Sequence, residues 1–152
     1  MYMKKPLILF LLVAFATLSH AQVENPVKWS FTAKKIKANT YEIHLTANVE
    51  EDWHIYSQTT PDGGPVATSI SFTKNPLLAL EGNVNEVGKL EEHMEPLFGV
   101  QVKQFSNKVD FVQKVTLKAA AKTAISGSVQ FMVCNEKECM PPATVSFNLQ
   151  LN

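Results

Sequence analysis

The stretch TYEIHLTANV, residues 40–49, places Tyr41, Ile43, Leu45, Ala47 and Val49 at every second position. A period of two puts all five on one face of an extended chain, with mostly polar residues opposite, and so marks a half-buried strand. The same alternation recurs outward from it. VKWSFT offers Val27, Trp29 and Phe31; SVQFMV offers Val129, Phe131 and Val133; ATVSFNLQL offers Ala143, Val145, Phe147, Leu149 and Leu151. Further strands are predicted near residues 53–58, 67–73, 83–90, 100–105 and 108–117. No segment keeps a helical period. KAAAKTA (118–124) holds helix-favouring residues, but it is short and lies between strands, so it reads as a connection. Asn39-Thr40, Pro61-Asp62-Gly63-Gly64-Pro65, Asn75-Pro76, Glu81-Gly82-Asn83, Ser106-Asn107 and Ser126-Gly127 punctuate the strands as turns. Eight or nine short strands at this spacing predict an all-β, immunoglobulin-like antiparallel sandwich. The antibody-type pattern of two distant cysteines with a tryptophan between them is missing, so this reading rests on strand count.

The beginning of the chain follows another logic. Lys4 and Lys5 precede the apolar run Leu7 to Leu18, and Ser19-His20-Ala21 follows with small residues at the two positions that signal peptidase reads. This is the order of a secretory signal. The run is shorter than the roughly 20 residues a spanning helix needs. The expectation is cleavage after Ala21, with residues 1–21 a signal peptide and 22–152 one exported, periplasmic domain that does not span a membrane. No cysteine follows the run to carry a lipid anchor.

All fourteen basic residues are lysines. Without Lys4 and Lys5, twelve lysines face fourteen acids. Nucleic-acid binding rests on a basic surface rich in Lys and Arg, so that class is disfavoured. No Gly-rich phosphate loop, HExxH or GxSxG occurs. Glu50, Glu51 and Asp52 read as a solvated turn. His44, His54 and His93 are scattered without zinc-like spacing, and no cofactor is expected.

Both cysteines lie in FMVCNEKECMPP, residues 131–142. An oxidising compartment permits a bridge between Cys134 and Cys139, and a strand–turn–strand path can close it. As a staple it is weak. A loop of about six residues yields roughly 2 kcal/mol in the chain-entropy model, against about 4 or more for a bridge closing most of a domain. Three readings stay open at this point: a structural hairpin disulfide in a secreted binding module, a working redox couple, or a Cu(I) clip using Met132, Cys134, Cys139 and Met140.

Three stretches carry a resemblance: FMVCNEKECMPP, EDWHIYSQ (51–58) and HMEPLFGVQVKQF (93–105). From about Trp29 to Leu151 the chain resembles the amino-terminal periplasmic domain of the thiol:disulfide interchange protein DsbD and the stand-alone disulfide bond corrector relatives of that domain. The resemblance implies an immunoglobulin-like fold and a protein-disulfide reductase component. Its Cys134/Cys139 pair would accept reducing equivalents from a membrane-embedded thiol reductase and pass them to periplasmic thioredoxin-fold proteins. It implies Cys139 as the attacking thiol and Cys134 as the resolving one. Leu97 and Phe98 would cap the disulfide, Phe98 being the shield, and Trp53, Tyr56, Pro141 and Pro142 would pack beside it. The segment between the cysteines is one residue shorter than in the best-known members, and the cap has Leu97 where others place a second aromatic. The chain ends at Asn152 without a transmembrane relay, so a separate protein is expected to reduce it.

Overall fold

A computed structural model describes residues 25–152. The signal-peptide expectation for residues 1–21 lies outside the described residues. Eleven strands follow in order: β1 (Val27–Lys37), β2 (Thr40–Val49), β3 (His54–Tyr56), β4 (Ser69–Phe72), β5 (Leu78–Gly88), β6 (Glu91–Glu95), β7 (Val100–Ser106), β8 (Lys108–Leu117), β9 (Thr123–Phe131), β10 (Val133–Cys134) and β11 (Ala143–Leu151). There is no helix among the described residues, and none long and apolar enough to cross a membrane.

All strand pairings are antiparallel. The sheets run β1-β2-β8-β5, β10-β3-β7-β6 and β11-β9-β4. The second and third are joined through Met132, where one predicted strand, SVQFMV, divides into β9 and β10. One buried cluster draws on all three sheets: Ile43, Leu45 and Phe111 from the first, Ile55, Phe105 and Val133 from the second, Ile125, Val129, Phe131 and Phe147 from the third. This is the two-layer, immunoglobulin-like sandwich that the alternation predicts. Each large apolar side chain taken fully from water contributes about 1.5–3 kcal/mol, so the shared core is the main source of stability.

The turn chemistry explains the hairpins. Asn39 between β1 and β2, and Asn107 between β7 and β8, have φ of 58° and 63°. Asn tolerates this left-handed conformation better than most residues. On β5 the ladder to β8 breaks between Glu81 and Asn85. There the buried Gln113 amide donates to the carbonyls of Glu81 (3.0 Å) and Lys114 (2.8 Å), which satisfies groups the ladder leaves unpaired.

The structure differs from the sequence reading in several places: eleven strands stand where eight or nine are predicted, and Ser126-Gly127 and Glu81-Gly82-Asn83, read as turns, lie inside β9 and β5. β6, over Glu91–Glu95, stands where no strand is predicted. The strand read over 83–90 begins at Leu78. The connection over 118–124 gives up Thr123 and Ala124 to β9.

Candidate functional site

The site is built on the two-residue strand β10. Cys134 faces Cys139 as an isolated antiparallel bridge, with Cα atoms 4.0 Å apart and the two sulfurs joined. The Asn135 N–H donates to the Glu138 carbonyl (2.9 Å), and the Met140 N–H donates to the Val133 carbonyl (2.9 Å). Those bonds lie on either side of the cysteines, which makes them a non-hydrogen-bonded pair, the register in which opposing side chains come closest. The turn is held locally: the Asn135 side-chain oxygen accepts from the N–H groups of Lys137 and Glu138, both at 2.8 Å. The two cysteines are not equivalent. Cys134 is fully buried, whereas Cys139 is partly exposed. Pro141 and Pro142, which follow at once, are exposed and lie outside any strand, as suits residues that cannot donate to a ladder.

Register decides what surrounds Cys134. It pairs with His54 on β3, His54 pairs with Ser106 on β7, and Tyr56 pairs with Gln104. On β6, Glu91 pairs with Gln104, His93 with Val102 and Glu95 with Val100. Paired residues share a face, so Cys134, His54, Tyr56, Gln104, Ser106, His93 and Glu95 all lie on one side of this sheet. Val133, Ile55 and Phe105 lie on the other and enter the main core. The outer face has its own small buried cluster of Tyr56, Val102 and Cys134, with Val100, Met132 and Cys139 packed against it.

Three polar groups are buried in that face. The Tyr56 hydroxyl donates to Glu95 Oε2 at 2.7 Å, and His54 Nε2 lies 3.1 Å from the same oxygen and 3.1 Å from the Tyr56 hydroxyl. Glu95 is wholly buried. Burial, then the hydrogen bond to Glu95 and its charge, push the Tyr56 hydroxyl well above the ordinary tyrosine range, so it remains a donor. Strand β3 is itself tied down beyond Tyr56. Glu86 accepts from the Ser57 hydroxyl and the Gln58 N–H, both at 2.7 Å, and Thr68 Oγ1 donates to the Tyr56 carbonyl.

Glu95 also starts the turn that carries Leu97 and Phe98. Its carbonyl accepts from the N–H of Phe98 (3.2 Å) and of Gly99 (2.8 Å). Gly99 ends the turn at φ 66°, a conformation that favours glycine. Leu97 and Phe98 are both exposed, Phe98 at 38%. The PDGGP loop packs onto this turn. A Cβ at Gly64 would lie 2.5 Å from Val100 Cγ2 and 3.8 Å from Phe98 Cβ, so only glycine fits there. Behind it, the Val66 N–H donates to Met132 Sδ (3.4 Å).

The residues singled out from the sequence are distributed as follows. Tyr56 shares a cluster with Cys134, while Trp53 and Met140 pack against the main core. Met132 stays beside Cys134 and Cys139, so the four sulfurs of the Cu(I) reading divide between two clusters. Among the described residues no group of three or more His, Cys, Asp or Glu side chains is placed to hold a metal ion. The sequence reading weighs His54 only as a zinc ligand and does not single out Glu95 or Gln104. A cleft of about 760 Å³ opens beside the hairpin, with Trp53, His54, His93, Gln104 and Ser106 on one side and Asn135 to Lys137 on the other.

An immunoglobulin-like sandwich with a disulfide across an edge hairpin, one cysteine buried and the other partly exposed, defines the class of this protein. The chain belongs to the family described as thiol:disulfide interchange protein DsbD, N-terminal, whose model matches residues 21–151. Solved structures share the fold. The N-terminal periplasmic domain of ScsB from Proteus mirabilis has a TM-score of 0.59 at 17% identity over 82% of this chain. The chain spans 46% of that one. The DsbD N-terminal domain of Neisseria meningitidis in its reduced form has a TM-score of 0.52 at 13% identity, over 82% of this chain and 86% of that one. A complex between the DsbD and PilB N-terminal domains of the same organism also matches, with a TM-score of 0.48 and 12% identity, over 79% of this chain and 80% of that one. No curated protein matches by sequence.

Proposed function

We propose that the chain is an exported thiol–disulfide exchange module whose Cys134/Cys139 pair relays reducing equivalents to disulfide-bearing proteins of the periplasm. The observation that carries this reading is the unequal burial of the two cysteines within a hairpin, in a chain that belongs to the DsbD N-terminal family. Exchange requires a thiolate with access to a partner disulfide and a neighbour that resolves the mixed disulfide. Cys139 has the access and attacks. Cys134 resolves, five residues away in sequence and opposite in register. A separate membrane-embedded reductase supplies the electrons, and thioredoxin-fold proteins receive them. Leu97 and Phe98, on the turn anchored by Glu95, shield the reduced pair from the wrong acceptors. Residues 1–21 direct export, and the mature domain begins at Gln22.

The test is a redox titration of residues 22–152 against glutathione and dithiothreitol buffers, with thiol state read by alkylation mass shift. A potential of roughly −180 to −270 mV, the span of exchange proteins, is expected. A potential well below about −300 mV makes the bridge structural and overturns the relay.

A further inference from the structure

We propose that His54 is the base that takes the proton from the Cys134 thiol when the mixed disulfide is resolved, with Glu95 and Tyr56 as its positioning residues. This inference rests on the exchange reading above. Once Cys139 is joined to a partner, Cys134 is left as a thiol in a fully buried position. Only the thiolate attacks a disulfide, and removal from water disfavours that charge. The site must therefore supply an acceptor for the proton.

Register supplies one. His54 is the cross-strand partner of Cys134, and side chains so paired have Cβ atoms roughly 4.5–5.5 Å apart. The other groups on this face fit the role poorly. Tyr56 already donates its proton to Glu95, and the Glu95 carboxylate is engaged by Tyr56 and His54. Ser106 and Gln104 on β7 do not titrate in this range. On β6, Glu91 accepts from the Ser106 hydroxyl (3.3 Å), and His93 is exposed. Glu51, Asp52, Glu136 and Lys137 are exposed around the cleft and leave it with net negative charge.

The hydrogen bonds also fix which ring atom is basic. Tyr56 donates to Glu95, so Nε2 of His54, 3.1 Å from that carboxylate, carries a hydrogen and donates as well. In the neutral ring Nδ1 is then the acceptor. When Nδ1 takes the proton, the buried carboxylate balances the imidazolium. His54 lines the cleft, which gives the proton a route to water.

The step balances. The proton passes from Cys134 Sγ to His54 Nδ1, and the thiolate pair attacks Cys139 Sγ. The Cys134–Cys139 bond forms as the bond from Cys139 to the partner sulfur breaks. The partner leaves as a thiolate and takes a proton from the imidazolium or from water. The two thiols of the pair are oxidised, and the partner disulfide is reduced by two electrons.

The experiment mixes the reduced protein with 5,5′-dithiobis(2-nitrobenzoate). This reagent frees one coloured thiolate when the first cysteine attacks and a second on resolution. In the wild type the second release should change little with pH through neutrality, because the proton is taken within the site. His54→Gln should lower the ratio of second to first rate about 10²-fold, and its second release should climb about tenfold per pH unit through neutrality, as attack by an unassisted thiol does. Glu95→Gln should fall between the two. An unchanged ratio and pH profile in His54→Gln overturns the inference. If that variant does not fold, the wild-type profile decides: a second release that climbs tenfold per pH unit through neutrality overturns it equally. A wild type that frees no first equivalent overturns the exchange reading itself, and the inference with it.

Discussion

The β2–β8 ladder and the β10-β3-β7-β6 sheet are built from the same chain by opposite means. The ladder pairs every residue from Thr40 to Asn48 with a partner on β8 and turns Ile43, Leu45, Val109 and Phe111 inward. Its strength is apolar area, spread over long strands. The other sheet rests on strands of three and two residues. Its outer face buries His54, Tyr56 and Glu95 and holds them by hydrogen bonds to one another. Apolar burial is non-directional and tolerates small shifts. A buried polar network stabilises only while every member is satisfied. The contrast shows how one fold separates the part that must persist from the part whose side chains must hold set positions around a sulfur.

Removing the ladder's central ring should have the largest effect. Phe111 is fully buried and meets Trp29 at 5.9 Å and Phe105 at 6.5 Å between ring centroids. Phe111→Ala should cost about 3–5 kcal/mol, measured as a shift of the urea midpoint. A loss below about 1 kcal/mol would mean that the layers can collapse onto the space, and that the ladder is not the rigid half of the molecule.

Glu95→Gln should come next. It keeps the shape but removes the charged acceptor shared by Tyr56 and His54. The expected loss is roughly 1–3 kcal/mol, smaller than for Phe111→Ala. Hydrogen exchange should rise at residues 95–99 while the amides of β2 and β8 keep their protection. Equal deprotection of both regions would show that the two sheets open as one unit.

The same contrast explains what the sequence discloses. Strands β2, β8 and β11 are legible residue by residue because, Thr40 and Gln113 apart, their buried positions are apolar and alternate. β3 is buried at all three positions and β6 only at Glu95, and in β3, β6 and β7 the buried set includes His54, Tyr56, Glu95 and Gln104; a polar residue at a buried position reads as surface. The signal present was spacing: HIY and EEHME place His54 with Tyr56, and His93 with Glu95, on common strand faces. That the two pairs meet depends on a contact 41 residues apart in sequence, which no local pattern contains. The cysteines are five residues apart, and such a pair is visible without any fold.

A smaller effect concerns alkaline pH. Burial and Glu95 raise the Tyr56 hydroxyl on folding. A group raised on folding contributes stability that is present below its unfolded value, about 10 for tyrosine, and lost as pH climbs above it. Tyr56→Phe should cost about 0.5–1.5 kcal/mol near neutrality. That gap should narrow above about pH 10, because only the wild type carries the alkaline penalty. Parallel stability curves across this range would mean that the hydroxyl titrates alike in the folded and unfolded chain.

Phe98→Ala should change stability least, by no more than about 0.5 kcal/mol, since the ring is 38% exposed. Its interest lies in rate. The turn from Glu95 to Gly99 is fixed by two backbone hydrogen bonds to the Glu95 carbonyl, and Phe98 is the large side chain that this turn presents. If the ring shields the reduced pair, its loss should speed oxidation by glutathione disulfide, an acceptor with no docking surface. Oxidation no faster than in the wild type removes Phe98 as the shield and leaves Val100 and Met132, which pack against the cluster that holds Cys134, as the cover. A variant that oxidises faster at unchanged stability would show that protection of the thiols is separable from the strength of the fold, which is the separation the two sheets embody.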